Sequence, residues 1–305
     1  MIEVNMKKIF SFLFVFSAIF YFAQYSVDIV AKWKVNDVFP VQFTSEITDS
    51  RGSQKVFTKS IFDSKFTVNQ VDDSQISITW IYSAAKMDVK ENNLENIIIS
   101  KILNQPLKIK LSETGKYDSL ENTSEIKNSI NKILGNELAK TSDETKKAVL
   151  NIAKNLVKTD EGVALLVTKN IKAYLFSFGY QFIENKSETH DLEISNPFGG
   201  ENFLATETVE MTSVNEDQRT CIIKTKKVGN GDQLKISVVE ALKKANAKNA
   251  KKIDAEIGNA ALEFSENTEH IIDYDKGIVN KGFFKRTMNF GFQNRVQLLK
   301  FSILK

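Results

Sequence analysis

The chain has 305 residues, with 41 Lys and Arg against 38 Asp and Glu and a formal net charge of +3. That near balance argues against a dedicated nucleic-acid binder, whose phosphate contacts need a concentrated basic surface. The 42% hydrophobic and 26% charged fractions are those of a folded globular chain and not of a disordered one.

The first element is a leader. Met6, Lys7 and Lys8 precede an apolar run from Ile9 to Phe22, broken only by Ser11 and Ser17, and Ala23 and Gln24 follow. A basic start, an apolar centre and a small residue at its end are the parts of a secretory signal peptide, with cleavage expected after Ala23 or Gln24. The run is roughly 14 residues, short of the ~20 that a spanning helix needs. No Cys stands at the cleavage point, so the expected product is exported, periplasmic or secreted, with no lipid tether and no spanning segment once the leader is gone. Its loss removes Lys7, Lys8 and Glu3 and lowers the net charge by one. With Cys221 as the single cysteine, no intramolecular disulfide can form. Exported small domains often rely on disulfides; a chain of this length has enough apolar surface to stand on its core instead.

From Val27 to about Tyr82 the pattern is strand-like. Ile76, Ile78, Trp80 and Tyr82 alternate with more polar neighbours, which places them on one face of a sheet. Asn36 and Asp37, Asp49 to Gly52, and Asp72 and Asp73 mark turns between antiparallel strands. A short strand follows at Leu107 to Leu111, with a turn at Glu113, Thr114 and Gly115.

The period then changes to that of helices. Asn122 with Glu125, and Thr141 with Glu144, have the spacing of capping boxes. Ile126, Ile130, Leu134 and Leu138 recur on one face of the first helix, and Leu150, Ala153 and Val157 follow in the second. A third helix is expected from near Asp160 through Leu165, Ile171, Tyr174 and Phe178, with Gly179 as its stop. Strands return after Ser187, at Phe203 to Met211 and Thr220 to Val228, with a compact loop at Asn196 to Gly200. A further helix is expected over Asp232 to Lys248. The end reads as strand again: Ile271 to Tyr274, a turn at Asp275 to Gly277, Phe283 to Phe292, and Val296 to Leu304.

Strands, then helices, then strands give an α+β class: a mostly antiparallel curved sheet, half-barrel-like, with a helical segment at about 122–179 packed on it. No linker divides the chain, so residues 1–24 read as signal peptide and 25–305 as a single α+β domain. This layout resembles exported bacterial carriers of the LolA and LppX type, in which a half-barrel sheet holds helices in its mouth. The Asn196 to Gly200 loop and the Asp273, Asp275, Gly277 hairpin also resemble an uncharacterised exported family of Gram-negative bacteria. A transmembrane barrel is not expected, because its alternating segments would leave no room for a helical block, and the final residue, Lys305, is not aromatic.

Candidate chemistry is sparse. Cys221 lies in the apolar run Cys221, Ile222, Ile223, where a thiol reads as a small core residue. His190 near Asp191 and His270 near Asp273 are neighbours in sequence, which does not make a triad. Ser83 and Lys86 fit the S-x-x-K spacing of acylating serine enzymes, in which Lys lies one helical turn from Ser, but the accompanying motifs are missing. Gly229, Asn230 and Gly231 lack the third glycine and the lysine of a phosphate loop, and a hairpin turn explains them. Two His and one Cys leave no ordinary zinc set. Asp273, Asp275 and Gly277 miss the calcium-loop pattern, since Phe284 stands where its last ligand belongs. The basic run Lys243, Lys244, Lys248, Lys251, Lys252 has no stacking rings and reads as a solvated helix face.

No catalytic residue, metal or cofactor is therefore assigned. What stands out is 22 Phe with only three Pro. So many large rings need an interior or a cavity to line. The leading expectation is an exported, non-enzymatic binding protein holding a lipid-like or other apolar ligand, with Trp80, Tyr82, Tyr174, Phe178, Phe290 and Phe292 as candidate contacts. The alternatives are a cell-envelope structural or protein-interaction module and, behind it, a serine or cysteine hydrolase.

Overall fold

A computed structural model describes residues 25–88, 93–142, 144–194, 202–245, 262–291 and 293–304. The leader with its cleavage positions, the Asn196 to Gly200 loop, Phe292, Lys248, Lys251 and Lys252 lie outside the described residues. In chain order the elements are β1 (Ser26–Ile29), β2 (Val38–Arg51), β3 (Gln54–Val71), β4 (Gln75–Met87), α1 (Leu94–Lys101), β5 (Leu107–Ser112) and β6 (Tyr117–Leu120). The helical block is α2 (Thr123–Lys140), α3 (Glu144–Leu156) and α4 (Asp160–Leu175). After it come β7 (Tyr180–Ile183), β8 (Ser187–Ile194), β9 (Phe203–Asn215), β10 (Thr220–Gly229), α5 (Gly231–Ala245), β11 (Glu263–Asp273), β12 (Ile278–Asn289) and β13 (Gln293–Ile303).

Eleven strands form one antiparallel sheet in the order β6-β5-β4-β3-β2-β13-β12-β11-β10-β9-β8, and β1 pairs with β7 in a separate two-stranded sheet. The fold is thus α+β, with an antiparallel sheet that stays open. Two meanders, one before the helical block and one after it, meet where the last strand pairs with β2. The two edges, β6 and β8, do not close on each other. The β6 edge is only four residues long, and β8 places Glu188, His190, Asp191 and Glu193 along the other. Short or charged edges discourage further strand addition.

The expected alternation in β4 is present: Ile76, Ile78, Trp80 and Tyr82 are all buried on one face. Val41 and Phe43 of β2, Phe62 and Phe66 of β3, and Ile109 of β5 extend the same apolar surface. Helix α4 lies against it with Val163, Val167, Ile171 and Tyr174 buried, and α1, α2 and α3 pack around that helix. Each such aliphatic or aromatic side chain contributes roughly 1.5–3 kcal/mol when removed from water, so this is where the stability of the fold concentrates. The start of α4 is set by Thr159, whose Oγ1 accepts from the Gly162 amide at 3.1 Å. Past its end the chain turns at Gly179, which sits at φ +81° and donates its N–H to the Ile29 carbonyl.

Several local expectations change. The eight-residue helix α1 was not anticipated; Asn93 caps it by accepting from the Asn96 amide. Asn122 makes no reciprocal box with Glu125. Its Oδ1 accepts from the Lys108 amide and its Nδ2 donates to the Pro106 carbonyl, tying α2 to β5. Gly229 to Gly231 is no hairpin turn but the entry to α5, where Asn230 accepts from the Asp232 and Gln233 amides.

Candidate functional site

The inner face of β9 to β13 is built from hairpins, and two β-bulges fix what it presents. Between β9 and β10 the register shifts at Ile222/Ile223, and between β11 and β12 it shifts at Ile271/Ile272. Beyond these shifts Glu207 faces Lys227, Lys227 faces Glu266, Glu266 faces Arg286, and Arg286 faces Gln297. Five strands thus contribute one residue each to a single polar row across the sheet. The Lys227 ammonium lies 3.2 Å from Glu207 and 3.6 Å from Glu266, and Arg286 Nε donates to Glu266 Oε1 at 2.7 Å. Lys169 of α4 closes the row from above, donating to Gln297 Oε1 at 3.3 Å and to both oxygens of Glu95 in α1 at 2.8 and 3.0 Å.

This row separates two apolar bodies. On one side is the main core; on the other is a smaller cluster of Phe203, Leu234, Leu262 and Phe264, with Met288 and Phe290 packed against it. Between row and core runs a second line of small or hydroxyl-bearing residues, Thr225 and Thr268, flanked by Phe284. Helix α4 does not seat flush on that line. A cavity of about 200 Å³ remains, lined from α4 by Leu165, Lys169, Lys172, Ala173 and Phe176 and from the sheet by Thr225, Thr268, Phe284 and the charged row. The α4 residues recur at helical spacing, so one stripe of the helix faces the cavity while the opposite stripe faces the core.

The electrostatics of the cavity are uneven. Lys227 sits between two carboxylates, and Glu266, its side chain only 11% exposed, sits between two cations. Desolvation pulls the Lys169 ammonium below its usual value; Glu95 pulls it back, and the nearby Arg286 charge adds to the fall. Lys172 is lowered by desolvation with no carboxylate opposing it, and its ammonium lies 4.4 Å from the centre of the Tyr117 ring. The Arg286 guanidinium lies 5.7 Å from the centre of the Phe264 ring and 5.4 Å from that of Phe284, within cation–π reach of both.

The sequence-derived candidates are placed differently. Trp80, Tyr82, Tyr174 and Phe178 are buried and pack on one another and on their neighbours. Phe66 stacks on Trp80 at 5.0 Å, Tyr174 meets both rings edge-on, and Phe178 meets Trp33 edge-on. They fill the interior between β2 to β4 and α4 and do not line the cavity. Phe290 belongs to the smaller cluster. The cavity's own residues, above all Phe176, Phe284, Lys169, Lys172 and Arg286, were missed. A helical-wheel reading of α4 as two-faced would have found the first stripe, but the sheet half depends on the bulges.

The other candidates have ordinary settings. Cys221 is buried in the core, its thiol pushed up to about 12 by desolvation, so it stays protonated. Ser83 and Lys86 lie on β4, not on a helical turn, and Ser83 donates to the Asp63 carbonyl. Asp273 is taken up by the amide and ammonium of Lys276. His190 is exposed on the β8 edge. His270 is fully buried, with its Nδ1 2.6 Å from Ser177 Oγ and its ring edge-on to Phe176 and Phe301. Gly282, its cross-strand neighbour, has no side chain because a Cβ there would strike the Phe301 ring. Among the described residues no group of three His, Cys, Asp or Glu is placed to hold a metal, and no helix is long and apolar enough to cross a membrane.

No protein-family model matches the chain. Nor does any curated protein. Among solved structures, one of lipovitellin, described for its lipid–protein interactions, is similar over 90% of this chain, with 9% identity and a TM-score of 0.43. The chain spans 26% of that much longer one. An outer membrane channel from Pseudomonas putida F1 aligns with 91% of this chain and 98% of its own length, with 9% identity and a TM-score of 0.16. Neither is a carrier of the LolA or LppX type, and both likenesses are too distant to carry an argument from those proteins to this one.

Proposed function

We propose that this is an exported, non-enzymatic binding protein that holds a lipid-like or other apolar ligand between α4 and strands β9 to β12. One observation carries the reading. Helix α4 sets Tyr174 edge-on against Phe66 and Trp80 of the aromatic half, while its Leu165, Lys169, Lys172 and Ala173 border a cavity over β9 to β12 that Phe176 and Phe284 also wall. Leu165 is 51% exposed there, an apolar side chain at the mouth of an apolar-walled recess. Small-molecule sites have this composition, mostly apolar with a few placed polar groups. Support for export comes from the basic and apolar leader pattern alone.

Native mass spectrometry of the chain purified from cells that secrete it tests the ligand. Added mass that leaves on delipidation, and returns with a neutral apolar probe, is the expected result. A clean unliganded species that refuses such a probe would remove the reading.

A second reading, an envelope protein-interaction module, rests on the outer face. There Ile271, Phe283 and Leu298 form the floor of an open groove rimmed by Lys281, Lys285 and Lys300. In-cell crosslinking through a probe placed at Phe283 would recover one specific protein if this face is the working one.

A further inference from the structure

The apolar-ligand reading leaves open what the polar groups of the cavity are for, and their arrangement is unequal. The lining holds four cations, Lys169, Lys172, Lys227 and Arg286, but only two anions, Glu207 and Glu266. Glu95, behind Lys169, brings a third carboxylate. Lys227 is fully engaged by Glu207 and Glu266. Arg286 is not: Nε and Nη2 both go to the same Glu266 oxygen, and Nη1 has no partner among the described residues. Lys172 has no carboxylate partner among the described residues, only the face of Tyr117.

Two of these cations also repel each other. The Arg286 charge disfavours the charged form of Lys169 although Glu95 lies against it. Four cations against three carboxylates leave the partly desolvated wall with an excess positive charge, which favours an anion beside it. The apolar half of the lining, Ala173, Phe176 and Phe284, lies beside them and not across the molecule. A ligand that satisfies both halves has a charge at one end and an aliphatic chain at the other.

Size narrows the class. At about 200 Å³ the cavity falls below the ~300–1,000 Å³ usual for small-molecule sites. A volume of that size suits one chain of moderate length better than two. We infer that the cavity takes a single-chain anionic amphiphile, a medium-chain carboxylate, with its charge against Lys172, Lys169 and Arg286 and its chain along Phe176 and Phe284. This rests on the apolar-ligand reading and adds to it the sign and place of the headgroup.

The experiment titrates the purified chain with decanoate, decanol and acetate by calorimetry and repeats it with Lys172→Met and Lys172→Arg. Lys172 stands at the open rim of the cavity and is exposed there, and Met keeps its apolar stem, so both variants should melt close to the parent. Decanoate should bind at least tenfold more tightly than decanol, and acetate should show no measurable heat. Lys172→Met should reduce that preference several-fold while leaving decanol binding unchanged, and Lys172→Arg should retain it. Decanol binding as well as decanoate, or a preference untouched in Lys172→Met, would overturn the headgroup assignment and leave the apolar-ligand reading standing. Acetate binding as tightly as decanoate would mark a free-anion site and overturn the amphiphile. If neither ten-carbon ligand binds, the apolar-ligand reading fails, and the headgroup assignment with it.

Discussion

Strands β2 to β5 and strands β9 to β12 turn the same inner face toward the helices, yet they bury different things. The first set presents Phe43, Phe62, Phe66, Ile78 and Trp80, all at or near zero exposure, and Tyr174 of α4 packs edge-on against Phe66 and Trp80. The second presents Glu207, Lys227, Glu266 and Arg286 in a row, with threonines beside it and a gap beneath α4. One half satisfies the packing demand of a protein interior. The other holds charges that a stability argument alone does not call for, since ion pairs at partial burial repay little of their desolvation. The two halves therefore read as scaffold and site.

The largest effect is expected in the scaffold. Trp80→Ala removes a ring that stacks on Phe66 and meets Phe43 and Tyr174. The expected loss is about 3–5 kcal/mol, the range for large aromatic deletions in cores, measured as a shift in the urea midpoint with an unchanged slope. A loss below 1 kcal/mol would mean that the aromatic half is loosely packed and that scaffold and site have been wrongly divided.

His270 tests the boundary between the halves. Burial lowers its pKa from 6.5 to about 4, against a weaker opposing contact from the Ala173 backbone. In the unfolded chain the ring takes up a proton near 6.5, whereas in the fold it stays neutral until about 4. Its contribution is thus complete above pH 6.5, shrinks as pH falls from 6.5 toward 4, and levels off below. At about 1.4 kcal/mol per unit the full loss is roughly 3 kcal/mol. His270→Gln should flatten the stability profile between those pH values by about that amount relative to the parent. Parallel profiles for the two proteins would show that this ring does not titrate against the fold.

How much of this was legible in the sequence follows the same division. Alternation in β4 and the 3.6-residue spacing in α2 and α4 report directly on apolar burial, so the scaffold half and the α+β class were readable. The charged row was not. Each of its residues comes from a different strand, and closing the two hairpins without bulges would set Glu207 against Val228 and Glu266 against Lys285. The unpaired residues at the bulges, Thr212 and Asn280, shift each register by one and turn the charges into line. The same limit explains the ring assignments. Composition counts Phe and Trp, but only the packing of α4 decides which of them face a cavity and which face each other.

Within the site half the expected stability effects are smaller. Glu266→Gln leaves Lys227 and Arg286 without their shared carboxylate. Removing one partner of a hydrogen-bonded charge at this degree of burial costs about 1–3 kcal/mol. It should also tighten decanoate binding, since two cations are freed. Loss of stability together with weaker decanoate binding would show that the row shapes the cavity more than it sets its charge.

The smallest effect on stability is expected where the effect on binding should be large. Leu165 faces the cavity mouth and is already half in water, so Leu165→Ala removes little buried area and should change stability by no more than ~0.5 kcal/mol, as exposed substitutions do. If the recess beneath α4 is the working site, the same change removes part of one wall and should weaken decanol and decanoate binding alike, by several-fold, without altering the preference between them. A variant that keeps its melting point and loses both ligands separates scaffold from site in a single substitution. Binding that survives intact would move the ligand away from the mouth and leave Leu165 as an ordinary exposed side chain.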